Sequence, residues 1–332
     1  MSQKNPATKQ RPQKAGHTKK LSLKKPPQKH SPKHLLITGG TGFIGTPLVC
    51  ALHQRGHIIT LLIHNHHPLP KALRTLQNIK TISSFDELSP ATNIDGVINL
   101  AGTTVAKRWS RRYKEVLLKS RIGTTNALIK WLQNANNKPA FLISASGAGY
   151  DAEDTVSAPT TKNTKPFKGF AHELCASWEF CAQKAKTFGM RVVILRLGVV
   201  LGKKGGPLRM MLPFFRLGLG GRLGSGKQAV AWIHLDDVLR AVCFLMDDKK
   251  CDGPFNLVAP EEVTNATFAK QLAHTLKRPA FFHMPAFVVK LLFGEMGKTL
   301  LLGSFHAPPQ KLRKAGFTFR FPKLMDALKD IF

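Results

Sequence analysis

A glycine-rich turn between an apolar run and an amphipathic segment restricts the fold of this chain more than any other feature. The order is a strand at 34–38, the turn Gly39-Gly-Thr-Gly-Phe-Ile-Gly45, a helix at 46–55 and a strand at 58–63. Gly39 suits a tight turn, Gly42 allows the backbone to approach a diphosphate closely, and Gly45 allows close packing of the helix on the strand. These four pieces within about 30 residues predict a dinucleotide-binding βαβ unit.

The rest of the chain alternates between the same two kinds of segment. Apolar runs predict strands at 81–83, 96–100, 140–144, 191–195 and 255–258. Longer periodic segments predict helices at 111–135, 169–188 and 236–246. This alternation predicts an α/β fold with a Rossmann-type doubly wound parallel sheet. Further helical segments after about residue 202 predict a small C-terminal substrate lobe, placed over the carboxyl ends of the strands.

Positive charge is concentrated at the N-terminus. The 332 residues include 50 Lys and Arg against 19 Asp and Glu, a formal net charge of +31, and residues 1–33 carry ten of these cations and no acid. Because residues 1–33 have few large apolar side chains, we expect a disordered basic tail. The tail could bind polyanions weakly, but we favour a solvated extension of a basic protein. The predicted domains are therefore this tail, a nucleotide-binding Rossmann domain at 34–260 and a helical lobe at 261–332.

The distribution of apolar residues and cysteines predicts the compartment. No apolar stretch approaches the roughly 20 uninterrupted residues of a membrane span, and no apolar run follows the basic N-terminus as in a secretory signal. The five cysteines are odd in number and form no CxxC pair, which favours reduced thiols. We therefore expect a cytoplasmic protein with no membrane span.

The end of the second strand predicts which dinucleotide binds. An acidic residue there would hold the 2′-hydroxyl of NAD, but the sequence reads Ile63-His-Asn-His-His67. A 2′-phosphate would meet no repulsion, so NADP is predicted and NAD is less favoured. A metal site in the histidine cluster is disfavoured because no carboxylate or cysteine lies nearby, and no metal is predicted. The expected cofactor contacts are Gly39, Thr41, Gly42, Phe43, Ile44, Gly45, His64, Asn65, Leu100, Ala101 and Gly102.

Two hydroxyl side chains follow the predicted strand at 140–144. Ser146 or Tyr150 could hydrogen-bond a substrate oxygen, and both are candidate catalytic residues. The Tyr-x-x-x-Lys pair of typical reductases of this fold is absent, because Leu117 stands four residues after Tyr113 and Asp154 four after Tyr150. Proton transfer therefore lacks its usual agent.

Several motifs occur in the order of a known family from about residue 34 to the C-terminus. They include Val97-Ile-Asn-Leu-Ala-Gly102, Lys119-Ser-Arg-Ile122, Leu174-Cys-Ala-Ser-Trp-Glu179, Trp232-Ile-His-Leu-Asp-Asp237 and Ala315-Gly-Phe317. With these motifs the chain resembles the YfcH-like epimerase-family proteins. That family is an atypical branch of the extended short-chain dehydrogenases/reductases with its own C-terminal domain.

The resemblance implies a Rossmann fold that binds NADP(H), with Arg121 among the cofactor contacts and a substrate that is largely undefined. Ser146 keeps the place of the active-site serine. The positions of the usual tyrosine and lysine fall on Ala171 and Cys175. The family usually has an arginine at the position of His64, which makes the preference for NADP less strict.

The resemblance also implies two substrate contacts. Arg196 and His234 match positions that face the active-site cleft in extended reductases. For Arg196, binding of an anionic substrate group and an ion pair with Asp236 or Asp237 are equally open.

Two functions follow from these expectations. The chain is an oxidoreductase acting on an unknown small carbonyl or sugar-like substrate, or a catalytically weak nucleotide-sensing binding protein. The retained serine and arginine favour the first, whereas the missing Tyr-Lys pair favours the second. The sequence leaves the oligomeric state open.

Overall fold

A parallel sheet lies at the centre of the computed structural model, which describes residues 31–63, 68–148 and 169–332. The strands of these described residues are β1 (His34–Thr38), β2 (Ile58–Leu62), β3 (Ile79–Ile82), β4 (Gly96–Asn99), β5 (Phe141–Gly147), β6 (Arg191–Leu197), β7 (Val199–Leu201), β8 (Gly221–Leu223), β9 (Ala229–Val230), β10 (Trp232–His234), β11 (Gly253–Leu257), β12 (Val263–Thr264) and β13 (Phe282–Met284). One seven-stranded sheet has the order β11-β6-β5-β4-β1-β2-β3, and every pair in it is parallel.

Helices connect and cover these strands. They are α1 (Gly45–Gln54), α2 (Lys71–Arg74), α3 (Arg111–Leu118), α4 (Thr124–Asn134), α5 (Phe170–Gln183), α6 (Gly206–Arg216), α7 (Leu235–Asp247), α8 (Asn265–Thr275), α9 (Ala286–Met296), α10 (Gln310–Lys314) and α11 (Leu324–Ile331). No helix in the described ranges is long and apolar enough to cross a membrane.

Both faces of the sheet are buried. In β1, Leu35 and Ile37 belong to a core shared with α1 and α7, whereas Leu36 belongs to a second core shared with α4. The residues of β6 alternate between the two cores in the same way. Because successive side chains of a strand point to opposite faces, a sheet covered on both sides needs continuous apolar strands. The predicted doubly wound α/β fold is confirmed.

The order of the strands locates the crevice that ligands can use. From β1 the chain proceeds to β2 and β3 in one direction, and it returns through β4 to build the sheet in the other direction. The ends of β1, β4 and β5 lie side by side, since Thr38 pairs with Asn99 and Asn99 with Ser144. In open parallel sheets, ligands bind at the carboxyl ends of the strands where the order reverses.

A further apolar core joins the helices of the predicted C-terminal lobe to residues before 261. Trp232 packs there with apolar residues of α6, α8 and α11, beside the short strand pairs β7–β10, β9–β12 and β8–β13. Residues 32–332 form one compact unit.

Two predicted helices are interrupted. The helix expected at 111–135 is α3 and α4 joined by a π turn at Lys119–Gly123. Among the helical segments predicted after about residue 202, the one at 286–302, expected as one or two helices, is α9 followed by a π turn at Gly297–Leu301, with Gly294 in a non-helical conformation at a φ of +59°. Apolar periodicity predicts the helical path but not these local changes of hydrogen bonding.

Candidate functional site

The glycine-rich turn from β1 to α1 packs Gly39 and Gly45 against neighbouring backbone. Gly39 has a φ of +68°, and a Cβ on it would collide with the carbonyl of Leu100. A Cβ on Gly45 would collide with the carbonyl oxygen of Gly39. At the exposed Gly42, that oxygen is 3.3 Å from an added Cβ and nothing else is within 4 Å. A ligand can therefore approach the turn closely at Gly42.

The first turn of α1 is not capped by a side chain. Ile44 is the N-cap residue, no side chain accepts a hydrogen bond there, and the first turn has no acidic residue. The main-chain N–H of Thr46 donates to the oxygen of Gly42 at 3.0 Å, and the half-buried Thr41 lies within the glycine turn. Such a helix end carries partial positive charge and favours an anionic group.

Phe43 fixes the glycine turn to a second glycine-rich segment. The ring lies against the connection from β7 to α6, where a Cβ on Gly206 would be 2.7 Å and one on Gly202 3.0 Å from it. A Cβ on Gly205 would collide with the same ring. Only glycine leaves room for Phe43 at these positions. The structure therefore places this predicted cofactor contact against the protein's own backbone.

A buried hydrogen-bond network joins the ends of β1, β4 and β5. Thr38 Oγ1 donates to the Asn99 amide oxygen at 2.6 Å, and the Asn99 amide nitrogen donates to Ser144 at 3.2 Å and Thr125 at 2.9 Å. Thr38 also accepts the N–H of Ala101 at 3.2 Å. The network fixes the loop after β4 beside the glycine turn, and this loop holds the predicted contacts Leu100, Ala101 and Gly102. Sequence analysis did not find the threonines, because a lone threonine carries no motif.

Arg121 brings a buried positive charge to this loop. The π turn places its guanidinium 3.0 Å from where a Cβ on Gly102 would stand, and it donates to the Thr103 oxygen at 2.8 Å. It also lies 5.3 Å from the centre of the Trp178 ring. Burial lowers the pKa of Arg121, and within the described part of the chain no carboxylate pairs with it. A buried cation without a counter-ion favours an anionic ligand.

Ser146 presents an unsatisfied hydroxyl near the end of β5. The residue is only 4% exposed, and among the residues described its Oγ makes no hydrogen bond of normal geometry, although the Cys175 thiol lies close enough to interact weakly with it. Leaving such a group unpaired costs about 1–3 kcal/mol, which a ligand oxygen can recover. The neighbouring thiol of Cys175 would be 3.2 Å from a Cβ on Gly147. Burial raises the pKa of the Cys175 thiol, so it is neutral at pH 7 and does not replace a lysine.

Arg196 forms a buried ion pair at the end of β6. Its Nε and Nη2 donate to the two carboxylate oxygens of Glu179 in α5, each at 3.0 Å. Of the two open alternatives, an ion pair is present, but its carboxylate is not Asp236 or Asp237, because Asp236 pairs with Arg320 and Asp237 with Arg240. Glu179 is part of a family motif, but its pairing with Arg196 could not be predicted, because the two residues lie on elements that meet only in the fold. Substrate binding by Arg196 stays a prediction.

His234 caps α7 and contacts the C-terminal segment. Its Nδ1 accepts a main-chain N–H of the first turn at 3.1 Å, Nε2 is 3.6 Å from Asp330, and the ring is 4.1 Å from that of Phe321. Asp237 accepts the N–H groups of Arg320 and Phe321 at 2.7 and 2.8 Å. We call these five residues the C-terminal clasp. Burial lowers the pKa of His234, and both its ring nitrogens face protein groups. Its role in substrate binding stays a prediction.

Some predicted site residues lie outside the described residues, namely His64, Asn65 and Tyr150. Ala171, at the usual tyrosine position, packs against the cluster around Trp109. In the ranges that the structure describes, no three His, Cys, Asp or Glu residues are placed to hold a metal ion.

Residues 35–257 match the NAD dependent epimerase/dehydratase family. The chain belongs to this family. Residues 284–331 of this family member match a domain of unknown function, DUF1731. The expected membership of the epimerase family, with its C-terminal domain, is confirmed.

Relatives of this epimerase-family chain cover nearly its whole folded part. It is 36% identical over 300 residues to the epimerase family protein SAR0825 of Staphylococcus aureus strain MRSA252, covering 90% of this chain and 99% of the relative. The crystal structure of the human epimerase family protein SDR39U1 with NADPH has a TM-score of 0.76 and 34% identity, covering 90% of this chain and 98% of that one. The UDP-glucose 4-epimerase of Thermus thermophilus with NAD, with a TM-score of 0.68, 17% identity and coverage of 90% and 97%, shows the fold alone.

Proposed function

We propose that the crevice between the ends of β1 and β4 binds NADP(H). Three observations support this: the open backbone at Gly42, the uncapped first turn of α1 and the buried charge of Arg121, which has no carboxylate partner among the described residues. The open turn and the helix end suit a diphosphate. Arg121 would hold a further anionic or hydroxyl group of the same ligand, beside Gly102.

The choice of NADP over NAD rests on sequence and on one relative. No carboxylate follows β2, where His64 and Asn65 stand. The human relative at 34% identity was solved with NADPH. Titration calorimetry should therefore show tighter binding of NADPH than of NADH, and a clear preference for NADH would contradict the proposal.

We propose that the bound nicotinamide exchanges a hydride with a small carbonyl or sugar-like substrate. The observation that carries this step is the buried Oγ of Ser146, which makes no hydrogen bond of normal geometry among the described residues. A hydroxyl in this position donates a hydrogen bond to a carbonyl oxygen, or accepts one from the corresponding alcohol. Arg196 and His234 remain proposed substrate contacts at the same end of the sheet.

The surroundings of Ser146 favour a second candidate, a nucleotide-sensing binding protein with weak catalysis. Ala171 and the neutral thiol of Cys175 stand at the usual tyrosine and lysine positions. Loss of a positioned proton donor costs roughly 10²–10⁴-fold in rate. Slow turnover with tight nucleotide binding is therefore expected.

Single-turnover oxidation of bound NADPH across a panel of aldehydes, ketones and nucleotide sugars separates the two candidates. Any activity should fall in Ser146→Ala and persist in Cys175→Ala, which serves as the matched control. Loss of activity in Cys175→Ala with retention in Ser146→Ala would contradict the site assignment. No oxidation with any substrate, with NADPH bound, would favour the binding protein.

A further inference from the structure

The C-terminal lobe exposes large apolar side chains on two segments. Phe214 and Leu217 lie on α6 and just after it, and the second segment carries Phe281, which is 91% exposed, Phe287, and Leu291, which is 71% exposed. We call these five residues, with the neighbouring Leu292, the lobe patch.

The two segments adjoin each other. Strands β8 and β13 pair in parallel, so that Gly221 lies opposite Phe282. A Cβ on Gly218, just after α6, would be 3.4 Å from Pro279. The two segments that carry the lobe patch are therefore neighbours in the fold, and exposed apolar side chains gathered in one region mark sites of interaction.

Positive charge predominates around the lobe patch, and the nearest acid on α9, Glu295, pairs with Lys114. Residues 203–222 contain five Lys and Arg, residues 277–292 contain three, and neither segment contains an acid. All eight cations are exposed. The sequence has no Asp or Glu at all in 180–235 or in 263–294. A partner that covers the patch must therefore bring negative charge as well as an apolar layer.

We propose that the lobe patch docks on the surface of an anionic phospholipid bilayer. Aromatic and leucine side chains insert at the boundary of headgroups and acyl chains, and surrounding lysines and arginines bind the anionic headgroups. A second copy of this chain would place two sets of like charges face to face. Nucleic acid would match the charge but would leave the apolar side chains in water.

Vesicle sedimentation with the full chain tests the proposal. One set of vesicles is pure phosphatidylcholine, and the other contains about 30 mol% phosphatidylglycerol, so that only the second attracts basic segments. The wild type should bind the anionic vesicles at least about tenfold more tightly than the neutral ones. The double variant Phe281→Ser with Leu291→Ser should bind them about tenfold or more weakly, because its exposed apolar area is lost.

Control variants identify the surface. Phe180 is 68% exposed on α5, away from the lobe patch in the sequence, and Phe180→Ser should leave vesicle binding unchanged. The double variant should keep the wild-type melting temperature and NADPH affinity, since both replaced side chains are exposed.

Three outcomes would overturn the proposal. Equal binding by wild type and double variant would mean that charge alone attracts the chain. Loss of binding on removal of residues 1–33, with retention in the double variant, would assign the affinity to the tail. A change from dimer to monomer in the double variant, without vesicle binding by the wild type, would make the patch an interface between copies.

Discussion

At the scale of the residue, two buried arginines differ in what neutralises them. Arg196 has the carboxylate of Glu179 at 3.0 Å on two of its nitrogens. The guanidinium of Arg121 donates to the carbonyl oxygen of Thr103 and lies over the ring of Trp178, but no carboxylate among the described residues pairs with it. The same side chain thus has a carboxylate partner within the fold in one place, and in the other it is the group that we propose binds the ligand.

Replacing each arginine by methionine should separate these roles. Arg196→Met leaves Glu179 buried without its cation and should cost about 3 kcal/mol of the free energy of unfolding. Arg121→Met leaves no opposite charge behind and should reduce NADPH affinity about tenfold or more, with little loss of stability. Urea unfolding and titration calorimetry of both variants check this. Equal stability losses would show that Arg121 is structural.

The lowered pKa of His234 makes the C-terminal clasp sensitive to acid. In the unfolded chain the imidazole titrates near its ordinary value of 6.5, and in the folded chain it titrates lower because burial disfavours the cation. The unfolded state therefore binds more protons between the two values, so this contribution to stability is present above pH 6.5 and is lost as the pH falls.

His234→Asn tests this dependence, since asparagine also caps helices. The wild type should lose more stability than His234→Asn between pH 7.5 and pH 5.5, as measured by urea unfolding. Burial raises the pKa of Asp237, which acts in the opposite direction, but Asp237 is present in both proteins and cancels. Parallel pH curves for the two proteins would contradict the prediction.

At the scale of the element, Gly42 and Gly45 of the turn should respond differently to substitution. Gly42→Val adds a side chain on the open side of the turn and should abolish binding of NADPH and NADH with little change in melting temperature. Gly45→Ala forces a Cβ into the Gly39 carbonyl and should lower the melting temperature itself. Calorimetry and thermal unfolding of both variants give the comparison. Nucleotide binding by a folded Gly42→Val protein would exclude this turn from the site.

The turn and the sheet could be predicted because each follows from a local pattern. The glycine spacing requires a turn of this type, and apolar runs of four to seven residues require strands buried on both faces. The pairing of Arg196 with Glu179 and the contacts of His234 could not be predicted, because they depend on which helix packs on which strand end. The position of the π turn could not be predicted for a similar reason, because it depends on contacts with the rest of the fold and not on the apolar periodicity of the segment.

At the scale of the whole molecule, the basic tail and the folded part should be separable. Removal of residues 1–33 should leave NADPH affinity unchanged and shift the melting temperature by less than about 4 °C, since the segment has no apolar core to lose. Any affinity of the full chain for heparin should fall steeply with salt and fall further on truncation. A larger thermal shift would show that the tail packs on the rest of the chain.

The cytoplasmic location stays a prediction.

The π turn at Lys119–Gly123 has a consequence for how the length of this segment can vary. Each residue rotates a helix by about 100°, so deleting one residue from the turn would rotate α4 by that angle relative to α3. Either the α4 residues Leu128 and Leu132 would leave the core, or Arg121 would leave the loop after β4. The π turn therefore sets the rotation of α4 relative to α3, so that Leu128 and Leu132 face the core while Arg121 faces the loop after β4. Side chains on the surface of this segment are free to change, whereas a gain or loss of one residue should be tolerated only together with a second, compensating length change nearby.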